Sequence, residues 1–228
     1  MAQLSTIFFD AGNTLVFPNL ERTLEPLHRR GVFPSRNQLH AAERQAKAQI
    51  DKLNADSHPA GDKKYWETYY SRLLSLLNVA DSEIAGQLVR NTRTSANWDV
   101  VLPGTHDLLV KLGRKYKLGL ISNSDGSIAA VLKRCGLGDC FLGVTDSGVV
   151  GHEKPHPAIF RAALEQLGAK AEESLYVGDN YSVDYVGATS VGMKGLLLDV
   201  AGTYKETGLP KIENLAALEP WLKRHDEE

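Results

Sequence analysis

Leu118-Gly119-Leu120-Ile121-Ser122-Asn123 and Leu175-Tyr176-Val177-Gly178-Asp179 are short apolar runs that each stop at polar residues. Runs of four to six strand formers closed by turn-forming residues read as buried strands. Around them the spacing predicts helices over 105–112, just after Pro103-Gly104, then over 127–135, over 158–167 with Pro157 at the start, and over 183–191. Gly143-Val144-Thr145 and the run 195–198 read as two more strands. This alternation predicts βαβ units, and so an α/β fold with a parallel sheet and helices on both faces.

Toward the N-terminus, Thr6-Ile7-Phe8-Phe9 is another buried-strand run, ending at the turn-forming cluster Asp10-Ala11-Gly12-Asn13. It is expected to join the same sheet. From about Pro18 to Trp98 the rhythm changes, and no convincing strand is read there. Ser35 with Gln38 three residues on forms a capping box ahead of a helical run over 39–53. Asp62 can cap a helix in which Tyr65, Trp66, Tyr69, Leu73, Leu76 and Leu77 recur at spacings of three and four. Shorter helices are expected over 20–30 and 82–92. Tyr65, Trp66, Tyr69 and Tyr70 read as packing residues. The expected organisation is a core of residues 1–16 and 99–228 with an inserted α-helical bundle at 17–98.

With 228 residues, 43% of them hydrophobic, the chain can bury a sizeable core. A net charge of −2 argues against nucleic acid or an anionic membrane surface as a partner. The longest apolar runs are far too short to span a bilayer. The first ten residues lack the pattern of a signal peptide, so a cytoplasmic location is expected. Cys135 and Cys140 form no disulfide framework and are read as packed thiols.

The chemistry-bearing residues fall at strand ends, where open α/β sheets bind ligands. Asp10 follows the first strand, with Thr14 four residues later. Ser122 and Asn123 follow another, Lys154-Pro155 precedes a helix, and Asp179 and Asp184 follow a third strand in the spacing G-D-x-x-x-x-D. A phosphate ester repels nucleophiles through its own charge, and a carboxylate can attack only where that charge is neutralised. Mg²⁺ on the oxygens of Asp10 and Asp179, together with Lys154, would neutralise it. Ser122 would hold phosphoryl oxygens, and attack by Asp10 would give an aspartyl-phosphate. Asn123 and Thr14 are further candidates at the phosphate.

The stretches Phe8-Phe9-Asp10-Ala11-Gly12-Asn13-Thr14-Leu15, Leu120-Ile121-Ser122-Asn123, Lys154-Pro155 and Val177-Gly178-Asp179-Asn180-Tyr181-Ser182-Val183-Asp184 resemble, in order, the four motifs of the haloacid dehalogenase-like hydrolases. The resemblance spans nearly the whole chain. It implies a Rossmann-like core with a helical cap between the first two motifs, and the roles just given to Asp10, Ser122, Lys154 and Asp179. It implies that Asp184 orients the metal's water ligands. A small phosphorylated metabolite is the substrate it suggests.

One position departs from that pattern. Phosphatases of the family carry a second Asp two residues after the nucleophile, as the acid/base; here it is Gly12. The Gly12 carbonyl can still bind Mg²⁺, but the acid is left unassigned. Phosphonate- or halide-cleaving members also lack that Asp, and in the former a cap lysine forms a Schiff base. Lys47, Lys52, Lys63 and Lys64 stay open for that role, as do His28, His58, Lys63 and Lys64 as the acid. A phosphate-binding regulatory protein with little turnover is the other alternative. His152-Glu153-Lys154-Pro155-His156 matches the zinc pattern H-E-x-x-H. Pro155 disfavours the unbroken helix which that site requires.

Overall fold

The computed structural model describes residues 3–55 and 62–226. In chain order the strands are β1 (Thr6–Phe9), β2 (Phe17–Pro18), β3 (Trp98–Val100), β4 (Lys117–Ser122), β5 (Gly143–Asp146), β6 (Ser174–Gly178), β7 (Lys194–Leu198) and β8 (Lys211–Ile212). The helices are α1 (Leu20–Thr23), α2 (Glu25–Arg29), α3 (Arg36–Ala55), α4 (Asp62–Leu76), α5 (Ser82–Thr92), α6 (Thr105–Gly113), α7 (Ile128–Arg134), α8 (Ser147–Val150), α9 (Pro157–Leu167), α10 (Val186–Ser190) and α11 (Leu218–Asp226). Six strands form one parallel sheet in the order β5-β4-β1-β6-β7-β8. The chain steps from β1 outward to β4 and β5, then returns to the other side of β1 with β6. That reversal makes the carboxyl end of β1 the switch point of an α/β, Rossmann-like sheet, where a crevice opens.

Successive side chains of a strand point to opposite faces. Phe8, Ile121 and Tyr176 therefore pack on one side with Ile159, Phe160 and Ala163 of α9. Ile7, Phe9, Leu118, Leu120, Leu175 and Val177 pack on the other, with Leu109, Val131, Leu132, Leu218 and Leu222. Helices cover both faces, so the strands are apolar throughout rather than alternating. Two glycines admit α9 closely. A Cβ on Gly119 would stand 3.1 Å from Leu167, and one on Gly143 would stand 2.4 Å from the same side chain.

The described residues between 20 and 95 hold α1 to α5 and no strand. They have a hydrophobic cluster of their own, including Leu24, Leu27, Ala42, Tyr70, Leu73, Leu74 and Leu88. The capping box forms: the Ser35 amide donates to Gln38 Oε1 at 2.8 Å, and the Gln38 amide to Ser35 Oγ at 3.3 Å. Asp81 caps α5 by accepting from the amides of Glu83 and Ile84 at 3.0 and 3.1 Å. The helix expected over 20–30 is broken into α1 and α2 at Leu24, because Pro26 has no amide with which to continue the ladder.

The ends of this block differ from the expectation. Phe17–Pro18 and Trp98–Val100 pair as an antiparallel ribbon where the chain leaves and re-enters the sheet. Strands of two and three residues carry too little periodicity to be read. The helix expected over 183–191 opens as a wider, π-type turn over Tyr181–Tyr185, capped by Asn180, whose Oδ1 accepts from the Val183 amide at 3.1 Å. Beyond β7, the structure adds β8 and α11 to the expected elements; α11 buries Leu218, Trp221 and Leu222 at helical spacing. No helix among the described residues is long and apolar enough to cross a membrane.

The loop after β4 is held by one carboxylate. Buried Asp146, ending β5, accepts from the amides of Gly126, Ile128 and Gly148 at 3.0, 3.1 and 2.9 Å. Asp146→Ala strands those donors and is expected to cost about 3 kcal/mol of stability, as measured by denaturant titration.

Candidate active site

Asp10 sits one residue beyond β1, with its amide donating to the Val177 carbonyl of β6 at 2.9 Å. The next residues fold into a tight loop. The Ala11 carbonyl accepts from the amides of Leu15 and Val16 at 2.9 Å, and Asn13 takes the left-handed conformation at φ 54°. Asn tolerates that region better than most residues, as its short side chain can bond locally. The loop buries Thr14 completely and directs its hydroxyl to Asp10 Oδ2, at 3.4 Å. Across the crevice the Lys154 ammonium donates to Asp10 Oδ1 at 2.5 Å, Asp184 Oδ1 at 2.8 Å and the Tyr176 hydroxyl at 2.9 Å. Lys154 is 2% exposed, so these partners replace its water.

Asn123 secures the backbone of that lysine. Its Oδ1 accepts from the Lys154 amide at 2.6 Å and its Nδ2 donates to the Lys154 carbonyl at 3.1 Å. Asp184 projects from the π-type turn, and its Oδ2 accepts from the Asn180 amide at 3.0 Å. Asp179, one residue past β6, completes the group: one oxygen each from Asp10, Asp179 and Asp184 lies within 4.8 Å of the others. The Asp179 carboxylate accepts from the ammonium of Lys47, on α3, at 2.5 Å.

The electrostatics follow from crowding like charges out of water. Burial is the largest influence on Asp10 and raises its pKa. The Lys154 charge opposes that, while Asp184 and Asp179 add to it, and the carboxyl ends up at about 7. Burial likewise raises Asp179, with Lys47 lowering it and Asp184 raising it. Burial alone would lower Lys154, but Asp10 and Asp184 outweigh it and hold the ammonium charged. Three carboxylates against two lysines leave an unmet demand for positive charge, and oxygen donors at this spacing suit a hard cation.

A cavity of about 220 Å³ opens over this cluster, below the size of a drug-like site. Its floor includes Asp10, Ser122, Asn123, Lys154, Asp179 and Asp184. Its far wall is aromatic, with Tyr65 and Trp66 from α4 and Trp98 from β3. Trp66 and Trp98 stand with ring centroids 6.5 Å apart. A Cβ on Gly12 would be 3.1 Å from the Trp98 indole, whose N–H is tied to the Thr92 carbonyl at 2.6 Å. Gly12 is not among the glycines with positive φ. The indole, rather than the backbone, is what opposes a side chain there.

Of the residues singled out in the sequence, Asp10, Gly12, Ser122, Asn123, Lys154, Asp179 and Asp184 all line this cavity, and Thr14 lies behind Asp10 instead. Two of the four aromatics read as packing, Tyr65 and Trp66, also face the cavity. Asp125 binds Ser95 Oγ at 2.7 Å and the Ser127 amide at 3.2 Å, tying the helical block to the core. Lys63 and Lys64 lie exposed near Glu67, and His28 stacks on Phe33. His58 and the Lys52 side chain lie outside the described residues. His152 and His156 are not on a helix; their rings stack 4.4 Å apart, and His156 Nδ1 accepts from the Ala158 amide at 3.2 Å. Sequence reasoning missed Tyr176, Trp98 and the placement of Lys47. Tyr176 could have been found from strand alternation, which sets it on the face of Phe8. Nothing marks Lys47 in a run rich in Ala, Gln and Lys.

Comparison with known proteins agrees with this geometry. The chain is 34% identical over 117 residues to haloacid dehalogenase-like hydrolase domain-containing protein 3 of Danio rerio, covering 51% of this chain and 48% of that one. It is 39% identical over 99 residues to the glyceraldehyde 3-phosphate phosphatase of Methanothermobacter thermautotrophicus, covering 42% and 44%. It thus spans about half the length of the curated relatives it matches. The structure of the HAD-hydrolase YfnB from Bacillus subtilis, bound to magnesium, superposes with a TM-score of 0.67 at 18% identity, covering 96% of this chain and 99% of that one. The model of the haloacid dehalogenase-like hydrolases matches residues 4–192, and the chain belongs to that family.

Proposed function

We propose that the protein is a Mg²⁺-dependent phosphatase of a small phosphorylated metabolite, with Asp10 as nucleophile. One observation carries this reading. A buried carboxylate at the switch point of the sheet is held against a buried lysine, within 4.8 Å of two further carboxylates. The Methanothermobacter relative, a glyceraldehyde 3-phosphate phosphatase, supports a phosphate ester as substrate, and the magnesium bound to YfnB supports the choice of metal. Residues 17–98 act as a cap that brings Tyr65, Trp66 and Arg93 over the reacting group.

Asp10, the Gly12 carbonyl and Asp179 would hold the metal, with Asp184 beside them orienting its waters. Bound there, Mg²⁺ supplies the positive charge that the carboxylate cluster lacks and offsets the charge of the phosphoryl group. Lys154 opposes the protonation that burial favours at Asp10 and sets a fixed charge beside the phosphorus. The Ser122 hydroxyl takes a phosphoryl oxygen. Asn123 acts through the backbone of Lys154, and Thr14 orients the carboxylate of Asp10. Asp10 attacks phosphorus as the ester oxygen departs. Water then cleaves the aspartyl-phosphate, freeing phosphate and restoring the carboxylate.

The wall above Gly12 is an indole, and no acid stands at that position. Leaving groups that depart as stable anions, such as phenolates, are favoured over sugar alkoxides, whose oxygen needs a proton.

Screening phosphorylated metabolites with Mg²⁺ tests the proposal directly. Asp10→Asn should abolish turnover while phosphate still binds. Tight phosphate binding by the wild type with no turnover of any ester would instead favour a regulatory role. Lys154→Met should also abolish turnover and, by leaving Asp10 and Asp184 without a counter-ion, destabilise the fold by about 3–5 kcal/mol, read from denaturant unfolding. Gly12→Asp alone should gain little alkyl-phosphate turnover, because its Cβ would press at 3.1 Å on an indole tied to the Thr92 carbonyl. Gly12→Asp with Trp98→Phe should raise it about tenfold or more relative to an aryl phosphate, since a placed acid is worth roughly 10²–10⁴-fold. Equal rates for both esters in the wild type would show that another group supplies the proton.

A further inference from the structure

The helical block meets the catalytic crevice through an ion pair. Lys47, in the middle of α3, is carried across the block's boundary to Asp179, and its side chain is 9% exposed. Lys47 does not line the cavity, although Asp179 does. The ammonium therefore meets the carboxylate from the α3 side, while Asp10 and Asp184 approach from the crevice. Two further contacts seat the same helix. Arg44 Nη1 donates to the Ala201 carbonyl at 3.4 Å, and Tyr204 donates its hydroxyl proton to Asp51 while its oxygen accepts from the Tyr181 amide at 3.1 Å.

A second anion stands within reach of the ammonium. Glu43, one turn earlier on α3, holds Oε1 at 3.4 Å from Lys47 Nζ. Lys47 thus has one partner on the core and one on its own helix. A divalent cation drawn to the three carboxylates would share the Asp179 carboxylate, whose Oδ2 Lys47 now holds, and two cations on one carboxylate repel.

We propose that Lys47 is a positioning residue that holds Asp179 as an internal counter-ion and yields it to the metal, transferring its own pairing to Glu43. Metal loading and the seating of α3 on the core are then opposed. The inference rests on the reading that a metal binds Asp10 and Asp179. It assigns to a residue of the helical block control over how tightly that metal is held.

Calorimetric titration of the metal-free protein with MgCl₂ tests it without reference to turnover. Lys47→Met should tighten Mg²⁺ binding about tenfold, while lowering the melting temperature of the metal-free protein. A lysine that merely supports the structure would lower both. Glu43→Gln, a near-isosteric change at a side chain 26% exposed, should weaken Mg²⁺ binding, because the ammonium loses its alternative partner. Hydrogen exchange supplies the second readout. Mg²⁺ should speed exchange of the α3 amides in the wild type and leave it unchanged in Lys47→Met. Wild-type Mg²⁺ affinity in Lys47→Met, or α3 amides slowed by Mg²⁺ in the wild type, would overturn the role of Lys47 alone. Absence of any Mg²⁺ binding by the wild type would overturn the metal reading beneath it.

Discussion

Burying several like charges in one crevice is the constraint from which the rest of the molecule follows. Asp10, Asp179 and Asp184 converge because β1 and β6 are neighbours whose carboxyl ends open on the same side of the sheet. Left alone, three carboxylates out of water would repel one another and take up protons. Lys154 opposes that repulsion by donating to Asp10 and Asp184 from a position 2% exposed. Its own backbone is clamped by Asn123, so the loop after β4 and the loop before α9 hold one charge in place together. A buried pair of this kind adds little net stability. Its loss of one partner is costly, which makes the arrangement specific rather than strong.

Around this centre the helical block does more than cover. Tyr65 and Trp66 wall the cavity and Lys47 meets Asp179. Gly12 and Trp98 are matched: a Cβ at one position would press on the indole of the other at 3.1 Å. The ribbon β2–β3 fixes that match, since it carries Trp98 back toward the loop after β1 just where the chain re-enters the sheet. The departure at Gly12 from the family pattern is thus a change of wall as well as the loss of an acid.

Much of this was legible in the sequence because it is local. Runs such as Leu118–Ile121 end at polar residues, and parallel strands buried on both faces have no other way to be written. Ser35 with Gln38 marks a helix start through hydrogen bonds within three residues, and Pro157 marks the head of α9 because its fixed φ suits a first helical turn. Asp10, Ser122, Lys154 and Asp179 could be named because strand ends are where such a sheet binds ligands. The break in the helix over 20–30 escapes that reading for an equally local reason: its periodicity masks the missing amide of Pro26. β2, β3 and β8 are too short to carry a pattern at all.

What the sequence determined by itself is the alternation of elements, the helical block between residues 20 and 95, and the set of charged residues at strand ends. Each depends on neighbours along the chain. Only the tertiary structure decided which of those residues share a charge. Thr14 turns to Asp10, Asn123 grips the backbone of Lys154, Asp125 bridges to Ser95, and of the described candidate lysines in the helical block Lys47 alone reaches the carboxylates. Such pairings join residues up to 132 positions apart. They follow from strand order and from how α3 lies on the sheet, which no local pattern encodes.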